Sequence, residues 1–232
     1  MPDVSDFQGF PKEMLEFLQN LTHNNNREWF NEHKDVYRTK MLEPAQAFVM
    51  VMGARLRSLY PTLIADERTN GAGSIFRIYR DARFSRDKTP YKTHLGILFW
   101  QGSRKKVENP GFYFQLEPGR MMLAAGMYEF PRKFIETFRQ AVVDKKLGSS
   151  LVESVRRVEA AGDYTVERKH YKRIPAGYDP SSPNADYLRY NALYAYTMGA
   201  VPEECYSQEI MNYCFDRFRA MSPIMDWLFN LM

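Results

Sequence analysis

The sequence predicts an α+β fold, with a central antiparallel sheet over roughly residues 74–130 joined by a strand near 165–174, flanked by N-terminal and C-terminal helices. Three observations carry this prediction. The first sixty residues keep a helical apolar period, residues 74–130 are β-type and rich in aromatic and branched side chains, and the helical period returns from Pro131.

Within PKEMLEFLQNL, apolar Met14, Leu15, Phe17, Leu18 and Leu21 recur at helical spacing behind Pro11, which suits a first turn. NNNREWFNEHKDVYRTKM supplies capping asparagines ahead of Trp29, Phe30, His33, Val36 and Tyr37, a spacing that lines one face of a second helix. Pro44 opens a third, whose stripe of Phe48, Val51, Met52, Leu56 and Leu59 runs to Tyr60-Pro61. TNGAGS then marks the change of texture. SIFRIYRDARF, THLGILFWQG, GFYFQLEPG and RMMLAAGMYEF read as four strands, the last two joined by a Glu117-Pro118-Gly119 turn that favours antiparallel pairing. Helices follow at PRKFIETFRQAVVD and LGSSLVESVRRVEAAG, then the 165–174 strand and a long Pro/Gly-rich turn. LRYNALYAYTMGA starts helical and finishes extended, and two terminal helices are expected at 207–220 and 223–231, the second opened by Ser222-Pro223.

The length of 232 residues, 44% of them apolar and 15% aromatic, suits one globular domain spanning 1–232. A net charge of +4 and a pI near 8.9 fall well short of the Lys/Arg density of a dedicated nucleic-acid binder. MPDVSDFQGF has neither the positive region nor the apolar run of a signal peptide, and no membrane span is expected. The two cysteines, Cys205 and Cys214, lie nine apart and would face opposite sides of a helix, so a reducing, cytoplasmic setting is the expectation.

No catalytic constellation is recognisable. His23, His33, His94 and His170 form no metal-ligand pair, and neither a metal nor a cofactor is expected. His94, at the head of a strand, has the chemistry of a general base but more often such a histidine bonds locally. Gly71-Ala72-Gly73 lacks the third glycine of a dinucleotide fingerprint and the lysine of a P-loop, and no G-x-S-x-G elbow is present. Trp29 is read as core, and GYDPSSPNAD either as a rigid surface turn or as a lid over the basic segment.

That basic segment, RIYRDARFSRDKTPYKTH, is the one candidate site. Strand alternation places Arg77, Tyr79, Asp81 and Arg83 on one face and Phe76, Ile78, Arg80, Ala82 and Phe84 on the other. Arg80 then sits among apolar side chains, where a guanidinium needs a carboxylate or a bound anion to offset desolvation. The following loop, Ser85 to Pro90, offers backbone N–H groups and hydroxyls beside Lys88 and Lys92, with Tyr91 and His94 flanking it. Arg77, Arg80, Arg83, Lys88, Tyr91 and Lys92, with Asp81 orienting the arginines, are therefore expected to bind an anionic small molecule bearing phosphate or carboxylate. Two alternatives stay open: an interaction module for an acidic protein or nucleic acid, and a purely structural Arg/Asp network.

IFRIYRDARFSRDKTPYKTHLGILF, with NNNREWF upstream and GFYFQLEPG, KRIPAGYDPSSP and MSPIMDWL downstream, resembles the uncharacterised family called domain of unknown function 2461 over nearly the whole chain. The resemblance implies a bacterial-type soluble protein forming a single domain. It implies no established activity and carries over no catalytic residue.

Overall fold

Helix-forming and strand-forming stretches follow one another much as the periodicity requires in the computed structural model, which describes residues 7–232. Residues 1–6, on which part of the signal-peptide reading rests, lie outside the described residues. Helix α1 (Lys12–His23) buries Met14, Phe17, Leu18 and Leu21, the stripe its sequence spaces at i, i+3, i+4 and i+7. Asn26 caps α2 (Arg27–Glu32), its side-chain oxygen accepting from the Trp29 backbone N–H at 2.9 Å.

The expected single second helix is broken. His33 stacks on Trp29 at 3.9 Å and its Nδ1 donates to the Trp29 carbonyl at 2.8 Å, so the imidazole enters the backbone ladder at the break. A short α3 (Lys34–Val36), a π-helical stretch at Tyr37–Leu42 and α4 (Glu43–Leu56) then run on without interruption.

The sheet is five-stranded and antiparallel, in the order β1-β2-β3-β5-β4, with β1 at Leu95–Trp100, β2 at Gly111–Glu117, β3 at Arg120–Met127, β4 at Thr165–Lys169 and β5 at Tyr190–Gly199. A short 3-10 turn at Ala185–Arg189 precedes β5, as LRYNALYAYTMGA predicts. The expected strand at 74–84 is not a strand. That stretch makes only the isolated bridges Ile75 to Ile97 and Tyr79 to Tyr91, because beyond Arg80 its polar side chains bond within the loop and proline at 90 offers no N–H. The strand near 165–174 stops at Lys169.

Helices α5 (Arg132–Val143) and α6 (Lys145–Ala160) meet at Asp144, which caps α6 through the Lys146 and Leu147 N–H groups. The two terminal helices are one, α7 (Ile210–Phe229), with Pro223 inside it. Proline removes one helical hydrogen bond, yet Met221, Ile224, Met225, Trp227 and Leu228 around it are all buried, and that packing holds the helix through the gap. Cys205 lies in a 3-10 turn rather than on the helix that carries Cys214, and both thiols are buried and unpaired with each other. Burial pushes the Cys205 thiol up to about 12. Among the described residues no helix is long and apolar enough to cross a membrane.

The chain forms two compact units. The first comprises residues 7–99 as described, 113–123 and 198–216, and the second residues 100–112, 124–197 and 217–232. In the first, Phe48 packs against Phe7, Phe10, Phe99 and Phe114 at 4.8 to 6.3 Å between ring centres. In the second, Phe138 lies between Phe130 and Trp227, whose indole N–H donates to the Leu147 carbonyl at 2.9 Å.

Candidate functional site

The basic segment folds back on itself as a hairpin-like loop on the first unit. Arg80 donates its backbone N–H to the Pro90 carbonyl at 2.8 Å, and Lys92 donates to Ile78 at 2.7 Å. Asn25 clamps the returning arm. Its amide donates to the Tyr91 carbonyl and its oxygen accepts the Tyr91 N–H, both at 3.0 Å.

Arg80, the residue that required a partner, has two: its guanidinium bonds the Asp87 carboxylate and the Thr89 hydroxyl, with 27% of the side chain still exposed. The Thr89 backbone N–H and then the Arg80 guanidinium hold the Asp87 carboxyl at about 2. Asp81 pairs with Arg83 alone, through two bonds at 2.9 and 2.7 Å, and does not orient the other arginines. Lys88 donates to the carbonyls of Ala82 and Arg83. Within the loop from Ser85 to Pro90, the Thr89 N–H serves Asp87 and the Ser85 N–H serves Ala82. The proposed alternation also ends early, since Phe84, expected on the apolar face, is 96% exposed.

Arg77 and Lys92 are left on the other side of the segment. Lys92 Nζ donates to the Arg77 carbonyl at 2.9 Å and lies 5.5 Å from the centre of the Phe76 ring. Among the described residues neither Arg77 nor Lys92 has a carboxylate partner. Burial, followed by the Arg77 charge, lowers the Lys92 pKa. Gly71 makes room for the Arg77 stem, because a Cβ there would lie 2.7 Å from Arg77 Cγ. Beside this pair, Gly96 lets the Phe76 and Tyr113 rings close over the strand, and Tyr113 donates to Gln115 at 2.7 Å.

His94 completes this face. Burial and the Lys92 charge lower its pKa below 6.5, partly opposed by Glu117. With the folded-state pKa depressed, the unfolded chain takes up the proton first as pH falls, so the contribution is intact above about 6.5 and is lost on acidification below it. Urea midpoints measured from about pH 7.5 to about pH 5.5 are expected to fall for the native chain and to flatten in His94→Gln. Equal slopes in the two proteins would remove His94 from this account.

The family assignment rests on the same residues. A family model described as conserved hypothetical protein (DUF2461) matches residues 13–227, which takes in the hairpin, all five strands and most of α7. The chain belongs to the DUF2461 family. No curated protein matches it.

Two hollows lie elsewhere on this DUF2461 chain. One of about 450 Å³ in the first unit borders the hairpin through Thr93 and is lined by Gln19, Thr22 and the Glu117–Arg120 turn. The other, about 590 Å³ in the second unit, lies between α5 and the GYDPSSP loop. Tyr178 of that loop donates to Glu136 at 2.8 Å and Asn184 donates to the Val142 carbonyl, so the loop is tethered to α5. Reading the sequence for charge passes over Asn25 and Phe76, which shape the hairpin without carrying charge. Asn25 is legible only as a cap, because its partner lies 66 residues away.

Proposed function

We propose that the chain binds an anionic small molecule, bearing phosphate or carboxylate, at the Arg77–Lys92 side of the basic segment. Arg80, Asp81, Arg83, Asp87 and Lys88 serve as the frame that holds the segment in shape, and Tyr91 is the anchored residue of its returning arm. One observation carries the reading: a partly desolvated lysine stands beside an arginine with no carboxylate to neutralise either. Burial makes the Lys92 charge costly, the exposed Arg77 guanidinium beside it adds to that cost, and an anion between the two offsets it. His94 supplies a third group on the same face that can gain a proton.

Calorimetric titration with inorganic pyrophosphate tests this. Saturable binding is expected for the native chain and at least a tenfold loss in Lys92→Met, about 1.4 kcal/mol or more. Lysine at 92 is a charge the fold disfavours, so the methionine variant is expected to keep its melting temperature. Unchanged affinity in a folded Lys92→Met protein would sink the proposal.

A second reading is favoured by Phe84, which stands almost wholly in solvent beside the Arg83 guanidinium, 5.9 Å from its ring centre. An exposed ring among arginines suits a nucleic acid or acidic protein partner, and a steep fall in affinity with salt distinguishes that partner from a small molecule. Two buried cysteines with no disulfide between them support a cytoplasmic setting.

A further inference from the structure

The Arg77–Lys92 pair shares its face of the first unit with two aromatic rings. Phe76 donates its backbone N–H to the Gly96 carbonyl at 2.9 Å, which seats the segment against β1, and β1 is the neighbour of β2 in the sheet. Along β2 the burial alternates. Phe114 and Leu116 are enclosed, while Tyr113 and Gln115 are half-buried on the opposite face. Gly96 contributes no side chain to that face, and two rings take the space: a Cβ there would lie 2.9 Å from Tyr113 Oη and 3.4 Å from Phe76 Cδ2. The rings meet edge to face, 6.1 Å apart at 72°.

The cations join this pair of rings directly. Lys92 Nζ lies 5.5 Å from the centre of the Phe76 ring and donates to the carbonyl of Arg77, the next residue along. On the other side, Tyr113 donates to Gln115 Oε1 at 2.7 Å. That bond engages the oxygen of Gln115 and leaves its amide N–H groups without a protein partner among the described residues. Printed contact by contact, two cations, two rings and an amide donor thus follow one another across a single face.

A sheet face that meets only water is ordinarily polar. Phe76 and Tyr113 instead keep part of their rings in solvent beside two cations that lack carboxylates. Such a face suits a molecule that is anionic at one end and aromatic at the other.

We propose, building on the anion-binding reading above, that the anion at Arg77 and Lys92 is the phosphate of a nucleotide whose base lies against the Phe76 and Tyr113 rings. Every base has a π face, so stacking on the rings tolerates any of them, and Gln115 donates to a ring nitrogen or carbonyl of the base. Inorganic phosphate or a sugar phosphate meets the cations and leaves the rings uncovered.

The test is calorimetric titration with adenosine monophosphate, with ribose phosphate, which lacks only the base, and with pyrophosphate. The native chain is expected to bind adenosine monophosphate roughly tenfold or more tightly than ribose phosphate. Tyr113→Leu and Phe76→Leu are each expected to bring adenosine monophosphate down to the level of ribose phosphate, and Tyr113→Leu to leave ribose phosphate binding as it was. Lys92→Met is expected to weaken both ligands alike. Equal affinity of the native chain for the two would overturn the nucleotide assignment, and so would a preference for adenosine monophosphate that persists in folded Tyr113→Leu. Either result leaves the anion site standing, whereas no saturable binding of any of the three ligands, pyrophosphate included, would remove both.

Discussion

Gly126→Ala is expected to destabilise the protein on the order of 3 kcal/mol, read as a fall in the urea midpoint. Gly126 sits in β3 with φ at +138°, and a Cβ there would lie 2.3 Å from the Leu193 carbonyl oxygen and 2.6 Å from the Tyr194 Cα. Both contacts are to the backbone of β5, so no side-chain rotation relieves them. The added methyl group must part the two strands or bend one, and the adopted φ disfavours any L side chain. Gly119 supplies the control. Its φ is also positive, at +76°, but a Cβ there meets nothing within 4 Å, so Gly119→Ala should cost only the backbone term, about 1–2 kcal/mol. Equal losses for the two variants would show that conformation alone, and not the approach of β5, determines the effect at Gly126.

Phe30→Ala is expected to cost about 3–5 kcal/mol, the range for removing a fully enclosed aromatic ring. Phe30 is 1% exposed and touches the rings of Phe17, Tyr37, Tyr79 and Tyr91, so its loss opens a cavity against several walls that cannot all collapse inward. Phe30→Leu restores most of the volume and should recover more than half of that loss. A tyrosine near-ultraviolet circular dichroism signal that weakens in Phe30→Ala and returns in Phe30→Leu would tie the stability change to the seating of the three phenols. An unchanged signal in the alanine variant would mean that the tyrosines hold their places without it.

Wherever one periodicity governed a stretch, the sequence was enough to read it. Met14, Phe17, Leu18 and Leu21 mark α1 by spacing alone, β2 follows from the aromatic run of GFYFQLE, and β3 from the Glu117-Pro118-Gly119 turn that sends the chain back beside it. Failures came where a side chain overrode the period. His33 breaks the second helix by bonding the Trp29 carbonyl, a contact invisible to a hydrophobic count. Pro223 reads locally as a helix start, yet the buried neighbours on both sides keep α7 whole.

The site was legible in the same uneven way. That Arg80 required a carboxylate follows from burial and charge, and Asp87 meets that need. That Asp81 would choose Arg83 does not follow, because strand alternation, which sets Asp81 and Arg83 on one face, gave Arg77 the same claim, and the segment leaves the strand before that point. Tyr37 could not be assigned to the hairpin from sequence at all. Forty residues or more separate it from Tyr79 and Tyr91, and only the packing around Phe30 brings them together.

The path of the chain through its two units has a consequence for how this protein can be divided. Each unit is assembled from three separated segments, and the boundaries fall inside β1, β2, β3, β5 and α7 rather than in linkers. No single cut in the gene therefore releases either unit as a continuous polypeptide. A truncation meant to isolate the hairpin would remove strand and helix residues from its own unit, and a fragment ending anywhere before residue 216 would leave the first unit incomplete. The chain is thus a single heritable piece, open to loop insertion and point change but closed to shuffling by halves.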